Sequence, residues 1–346
     1  MSTLSAFSLG KLSRTTPFPA ISIPGTRLLS AFGPPVLVGM GYYLGTRIGF
    51  AWTPPGQPNS TFWPPNSILL ACLLLAPRRR WWTFLLALLP VHMLAQLQTG
   101  VPISTAVGWF ISNTAEAFLG AFCITRFVDP RKMFDSVRGV LTFIVFAVVV
   151  APFATSFLDA FAVVITGWGR SYWPLGLERF STNALAVLTV VPTIVVFSRN
   201  GIFSSKRLTL AKLAELVVFA VATLLVTIAI FGFRSTSTAA PMLLYAPIPF
   251  LLWAMVRYGA GGLSLTALMI ALVSTWSMMH GREPFPSVSM PQNILSLQIM
   301  LSVTVAVPVS SHVKRISKPS PVAHHYSQAD SGTGARTRSH REESPR

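Results

Sequence analysis

The sequence predicts an all-α membrane protein: a polytopic transmembrane helical bundle of about ten spans, with both termini cytoplasmic. Three observations predict it. First, the 346 residues are 52% hydrophobic and only 11% charged, with a mean hydropathy of +0.58. A soluble domain carries about 25% charged residues, so this chain has too few to cover a water-facing surface of its size. Second, long apolar runs recur from Leu28 to Val313, and a spanning helix needs roughly 20 apolar residues. Third, the basic residues sit in short clusters between those runs, which is how charge sets membrane topology.

The elements follow in order. Leu28–Phe50 is the first span. It exceeds the apolar core of about 7–15 residues in a signal peptide, so no cleavable signal is expected. Phe62–Ala76 is short and begins with prolines, so it is expected to be tilted, partly re-entrant or broken. Trp81–Gln98, Ile103–Ile124, Val140–Thr166 and Leu175–Phe197 come next. In the fifth, Pro152 removes an amide N–H and predicts a kink. Leu213–Phe233, Ala239–Val256, Ala260–Met279 and Asn293–Val313 complete the ten. Eight spans, with Phe62–Ala76 and one other segment in the interface, is the alternative.

The charges test the count. With the N-terminus inside and ten crossings, 22 of the 27 Lys and Arg residues fall on the cytoplasmic side. Four fall outside (Arg170, Arg179, Arg234 and Arg282), and Arg47 lies within the first span. Such a split favours ten spans with both ends inside. The net charge of +17 is thereby read as topology, and no nucleic-acid partner is expected. Residues 1–27 read as a Ser/Thr/Pro-rich cytoplasmic leader, 28–313 as the membrane domain, and 314–346 as a basic cytoplasmic tail. Leader and tail are too poor in apolar residues to bury a core, so both are expected to be disordered.

Ionisable groups inside spans are costly and tend to face the protein interior, so each one here carries information. In the fourth span, Trp109, Asn113, Glu116, Gly120 and Cys123 recur at helical spacing and share one face. Such a stripe is a packing seam or the wall of a pocket. Asn113 suits helix–helix bridging; Glu116 is harder to explain that way. In the third span, His92 and Gln96 share a face. His92 lies about 16 Å from the inner side and Asn113 about 15 Å from the outer side, which permits a His92–Asn113–Glu116 cluster; a satisfied interior histidine is the plainer reading. Asp159 follows the Ala151–Pro152 break and has Arg179 or Arg47 as a candidate partner. Asn183, Ala186, Val190 and Thr193 form a second stripe in the sixth span. Trp52, Trp63, Trp168 and Trp173 read as an outer aromatic belt. Phosphate loops, metal-ligand spacings and nucleophile motifs are lacking in the sequence. Cys72 and Cys123 lie in apolar runs and read as small core side chains. No enzymatic activity, cofactor or metal is expected.

A series of motifs carries a family likeness. Trp63-Pro64-Pro65-Asn66 precedes a short apolar run and then Arg79-Arg80-Trp81-Trp82. Asn113-Thr114-Ala115-Glu116-Ala117 is followed by Leu119-Gly120-Ala121. Trp253 and Arg257-Tyr258-Gly259 then lead into a Gly/Leu-rich span with Trp276 near its end. In order and spacing these resemble the membrane-embedded sensory domain MASE1, over about Leu28 to Val313. The resemblance implies a sensory membrane body that usually feeds a cytoplasmic output module, such as a histidine kinase or a diguanylate cyclase. Two departures stand out. The family's sixth span tends to read as an acid followed by Ala-Leu-Gly, where this chain has Asn183-Ala184-Leu185-Ala186 and then Pro192. Only about 33 residues follow Val313, too few for either output module.

The function expected is an integral sensory domain of the bacterial inner membrane. It would bind a small ligand or a membrane partner and signal to a separate cytoplasmic protein. His92, Asn113, Glu116, Asp159, Arg179, Asn183, Trp63 and Arg257 are the candidate ligand or signal residues. The lipid bilayer is one partner; a separate kinase, a cyclase or a transporter-like protein is another, and a homodimer is open. The alternative is a small-solute transporter, since proline-interrupted spans with midplane polar groups suit transport.

Overall fold

A computed structural model describes residues 24–200, 209–231 and 246–280, with 282, 296, 298, 299 and 301 as single positions. All regular structure among them is helical. The helices are α1 (Pro24–Ala51), α2 (Pro64–Leu75), α3 (Trp81–Leu97), α4 (Ile103–Phe127), α5 (Val137–Ile165), α6 (Tyr172–Asn200), α7 (Leu210–Phe231) and α8 (Ile248–Met279). The last five are long and apolar enough to cross a membrane. Large apolar side chains face outward all round the bundle: Leu37 on α1, Leu86 on α3, Ile111 on α4, Phe161 on α5 and Leu225 on α7 are each more than half exposed. In water such a surface would aggregate; in lipid it is the solvated one. The chain is a multi-pass membrane protein.

Local chemistry sets the helix ends. Pro64 and Pro65 occupy the first positions of α2, where a missing N–H costs nothing. Ala76 turns to extended backbone before Pro77, as the residue ahead of a proline prefers. The Trp81 indole donates to the Leu73 carbonyl at 2.8 Å and satisfies one of the orphan carbonyls at the end of α2. Asp129 accepts from the Arg131 amide to start the turn over Pro130–Asp135, and Ser136 accepts from the Gly139 amide to start α5. Within α5, residues Phe143–Val150 run as a π-helix just before Pro152. Proline cannot donate to the carbonyl four residues back, and the looser π winding absorbs that loss. The predicted kink is therefore a local change of winding.

The structure corrects one expectation and adds detail to two. α1 begins at Pro24, so residues 24–27 belong to the first helix and not to the leader. The second apolar run yields only 12 helical residues, about 18 Å of rise, too short to cross alone. The irregular stretch before it is buried: Asn59, Ser60, Thr61, Phe62 and Trp63 are all 4% exposed or less. Irregular backbone at membrane depth survives only where the protein covers and bonds it. Here the Ser60 hydroxyl donates to the Gly49 carbonyl at 2.7 Å, the Thr61 amide to the Trp52 carbonyl at 2.8 Å, and the Asn59 amide to the Leu175 carbonyl at 3.2 Å. Finally, the segments expected as spans eight and nine meet within α8, whose helix is broken between them at Gly259 (φ 68°, ψ −159°). A Cβ on Gly262 would lie 3.3 Å from the Ala254 carbonyl oxygen. In a continuous helix, residues eight apart are separated by about 12 Å, so the chain doubles back at Gly259.

The loops of α1–α6 gather at two ends. At one end, Arg78 donates to the Thr125 hydroxyl and Arg199 pairs with Asp135 at 2.9 Å. At the other, Thr105 bonds Thr166 at 2.7 Å and Asn59 reaches Leu175 and Glu178. The leader up to residue 23, residues 239–245 of the eighth predicted span, most of the tenth and the tail from 302 onward lie outside the described residues.

Candidate functional site

Helical spacing stacks polar groups in two layers between α4, α5 and α6. On each helix the layers are one turn apart: Ser112 and Glu116 on α4, Asp159 and Thr155 on α5, Arg179 and Asn183 on α6. All six are buried, none more than 6% exposed.

In the outer layer Arg179 is ion-paired with Asp159. The Ser112 hydroxyl donates to the other oxygen of that carboxylate at 2.7 Å. The guanidinium also lies over two indoles, 4.9 Å from the Trp109 ring centre and 5.6 Å from that of Trp63. Delocalised charge and a flat face let arginine stack and pair at once. Trp63 is 2% exposed. It therefore belongs to this layer and not to an aromatic belt, unlike Trp173, which is 68% exposed. Arg179 likewise faces the interior rather than an outer loop. Of the two candidate partners for Asp159, Arg179 takes the role and Arg47 is exposed.

In the inner layer the Glu116 carboxylate accepts from the Asn183 amide at 2.7 Å and from the Thr155 hydroxyl at 3.1 Å, both at Oε2. Asn66, at the start of α2, lies beside the same carboxylate. The stripes read from the fourth and sixth spans thus meet at Glu116 and Asn183. Asn113 lies between the layers on the α4 face, beside the Tyr42 hydroxyl.

His92 stands one step removed. Its Nε2 bonds the Ala106 carbonyl at 3.0 Å, and a carbonyl can only accept, so Nε2 carries the proton. Nδ1 then accepts from the Tyr42 hydroxyl at 2.9 Å. Both ring nitrogens are engaged, neither of them by Asn113 or Glu116. The three-residue cluster that depth permitted is not formed: His92 is a satisfied interior histidine, and Tyr42 stands between it and Asn113. Arg257 lies outside the site: it is half exposed and holds Glu215 of α7 through two contacts of 2.5 and 2.6 Å. Tyr42, Ser112 and Thr155 were not singled out by the sequence, and Asn66 only as part of a motif. A tyrosine, a serine or a threonine in an apolar run carries no charge penalty and so leaves no signal of its own.

The layers leave much hydrogen-bonding capacity unused. Arg179 Nη2, the indole N–H of Trp63 and of Trp109, and Asn113 Nδ2 are buried donors without partners. Glu116 Oε1 and Asn183 Oδ1 are buried acceptors without partners, and both ends of the Asn66 amide are unused. Ser67 and Ser156 have free hydroxyls in the same buried set. Native interiors satisfy nearly all such groups, and each one left bare costs free energy. Most of the unpartnered buried side-chain atoms among the described residues belong to these two layers and their neighbours.

Beyond the site, Gln298 ties the C-terminal part to its wall. It is fully buried; its amide donates to the Thr61 carbonyl at 2.7 Å and to the Thr182 hydroxyl at 2.9 Å, and the Ser181 hydroxyl donates to it at 2.5 Å. Among the described residues there is no group of three His, Cys, Asp or Glu side chains that could hold a metal.

No curated protein and no solved structure matches the chain. The family model of MASE1 matches residues 35–310, from within α1 to beyond Gln298, and so takes in both polar layers. The chain belongs to the MASE1 family of membrane-associated sensory domains.

Proposed function

We propose that this MASE1 domain is a receptor of the bacterial inner membrane, with ten spans and both ends in the cytoplasm. It binds a small polar ligand in the chamber between α4, α5 and α6 and passes the change to a separate cytoplasmic protein. It performs no chemistry on what it binds. The observation that carries this reading is the set of unpartnered polar groups around Glu116, Asn183, Asn66 and Arg179. A purely structural network would be closed, because half-satisfied buried networks destabilise a fold.

Gln298 supplies a route outward. It bonds the Thr61 carbonyl, two residues before Trp63, and the Thr182 hydroxyl, next to Asn183. A ligand that shifts either wall changes the seat of Gln298. Such a shift requires different ligand affinity in two states. The test is a thermal-shift screen of the purified full-length protein against small polar metabolites. A hit is expected to stabilise the wild type and to lose at least tenfold in affinity in Asn113→Ala and Glu116→Gln. Equal stabilisation of all three proteins would make the chamber structural.

A second reading is transport. The π stretch before Pro152 and the buried irregular segment at 59–63 are interruptions of the kind that transporters place at substrate sites. Uptake of a screened ligand by proteoliposomes would favour transport; binding without uptake favours sensing.

A further inference from the structure

We propose that Glu116, Asn183 and Asn66 form a binding site for a small monovalent cation, either an alkali ion or an ammonium group. The inference rests on the reading of the chamber as a ligand site and names the chemistry of its inner layer.

The argument is one of charge and valence. Three ionisable side chains lie in the two layers. Asp159 is neutralised by Arg179 at contact distance, and among the described residues Arg179 pairs with no second carboxylate. Glu116 has neutral neighbours only: the Asn183 amide and the Thr155 hydroxyl both meet one oxygen, and the Asn66 amide lies beside the carboxylate. The other oxygen is bare in a residue 2% exposed. An ionised carboxylate removed from water is strongly disfavoured, so Glu116 holds either a proton or an added cation, and the two compete. Water would supply dipoles but no charge.

The neighbouring free atoms have the right polarity. Asn183 donates its NH₂ to the carboxylate, which leaves the oxygen of the same amide as a free acceptor. Asn66, whose side chain lies beside the carboxylate, carries a second amide oxygen without a partner. Oxygen donors with a single negative charge suit a hard, singly charged ion. Divalent ions want more carboxylates, and transition metals want imidazole or thiolate, which the layer does not contain. The titratable or charged groups near Glu116 on the packed helices are Asp159 on α5, with Arg179 of α6 paired to it, and Tyr42 on α1, with His92 of α3 behind Tyr42. Tyr42 and a doubly bonded neutral His92 bring no positive charge, and Arg179 is committed to Asp159.

The probe is ²²Na⁺ binding to purified full-length protein in detergent, with choline chloride holding ionic strength constant. Lithium, potassium, ammonium and methylammonium chlorides serve as competitors. Expected is saturable binding that protons oppose, so that the apparent Kd rises as pH falls, approaching tenfold per unit once Glu116 is mostly protonated. Glu116→Gln is expected to lose at least tenfold in affinity and Asn183→Ala to weaken it, while Arg257→Gln leaves it unchanged. Displacement by lithium or potassium alone identifies an alkali-ion site; displacement by methylammonium identifies an ammonium site. The proposal fails if no cation binds saturably, if binding ignores pH, or if Glu116→Gln binds like the wild type. Should Glu116→Gln not fold, the pH competition in the wild type and the Asn183→Ala affinity decide. A metabolite that stabilises wild type and Glu116→Gln equally, but not Asn113→Ala, would remove the cation and keep the chamber.

Discussion

At the scale of single residues, the Asp159–Arg179 pair sets the cost of an error. Both are buried, so deleting one charge leaves the other stranded. Arg179→Gln alone is expected to lose about 3–5 kcal/mol of stability, and Asp159→Asn to lose a similar amount. The double variant Asp159→Asn/Arg179→Gln is expected to recover most of that loss, because neutral amides need no counter-charge. Unfolding of the four proteins in detergent, arranged as a double-mutant cycle, checks this; additive losses would mean the pair is not coupled. Tyr42→Phe makes a smaller demand. It strips Nδ1 of His92 of its donor and is expected to cost about 1 kcal/mol. The sequence made part of this visible. Helical spacing alone put Trp109, Asn113 and Glu116 on one face, and charge alone reduced the partners of Asp159 to two. Depth counting also put His92 near Asn113, but rise along a helix says nothing of which neighbour reaches into the gap. That neighbour is Tyr42, 50 residues away in sequence from His92.

At the scale of elements, close helix approach depends on two glycines for different reasons. A Cβ on Gly108 would stand 2.5 Å from the Ala162 Cβ, so α4 and α5 cross with no room for a side chain. Gly108→Val is expected to cost about 1–3 kcal/mol by overpacking, while Gly33→Ala, where a Cβ meets nothing, is expected to cost far less. Gly259 is held by its backbone: at φ 68° and ψ −159° a side chain is strained, and Gly259→Ala is expected to cost about 1–3 kcal/mol. Melting temperatures of the three variants check both claims. Apolar run lengths located most helices within a few residues, because lipid enforces them. The fold of Asn59–Trp63 was hidden, since buried irregular backbone is stabilised by partners such as Gly49, Leu175, Thr182 and Gln298 that no local pattern announces. Gln298 itself sits in a segment whose hydropathy gave only a span.

At the scale of the whole molecule, side choice follows from continuity. Arg78, Thr125, Asp135 and Arg199 share one end of the bundle, and they sit among the basic clusters that the positive-inside rule assigns to the cytoplasm. Burial of Arg179 removes one of the four basic residues counted outside, which sharpens the asymmetry. α6 ends at that face, and only about ten residues separate its last turn from α7, so α7 starts there too. Glu215, in the second turn of α7, holds Arg257, which brings the tip of the α8 hairpin back to the same face. If instead α8 crossed as one continuous span, Arg257 would lie at mid-depth, where its exposure to lipid would be costly. Single cysteines in a background lacking Cys72 and Cys123 test the register with a membrane-impermeant thiol reagent. Gln57→Cys and Ser171→Cys are expected to label in intact cells, whereas Arg79→Cys, Arg131→Cys and Arg257→Cys label only after permeabilisation. Arg257→Cys is the deciding position: labelling from outside would reverse the hairpin, and no labelling on either side would make α8 a single crossing and put the C-terminus on the opposite face from the N-terminus.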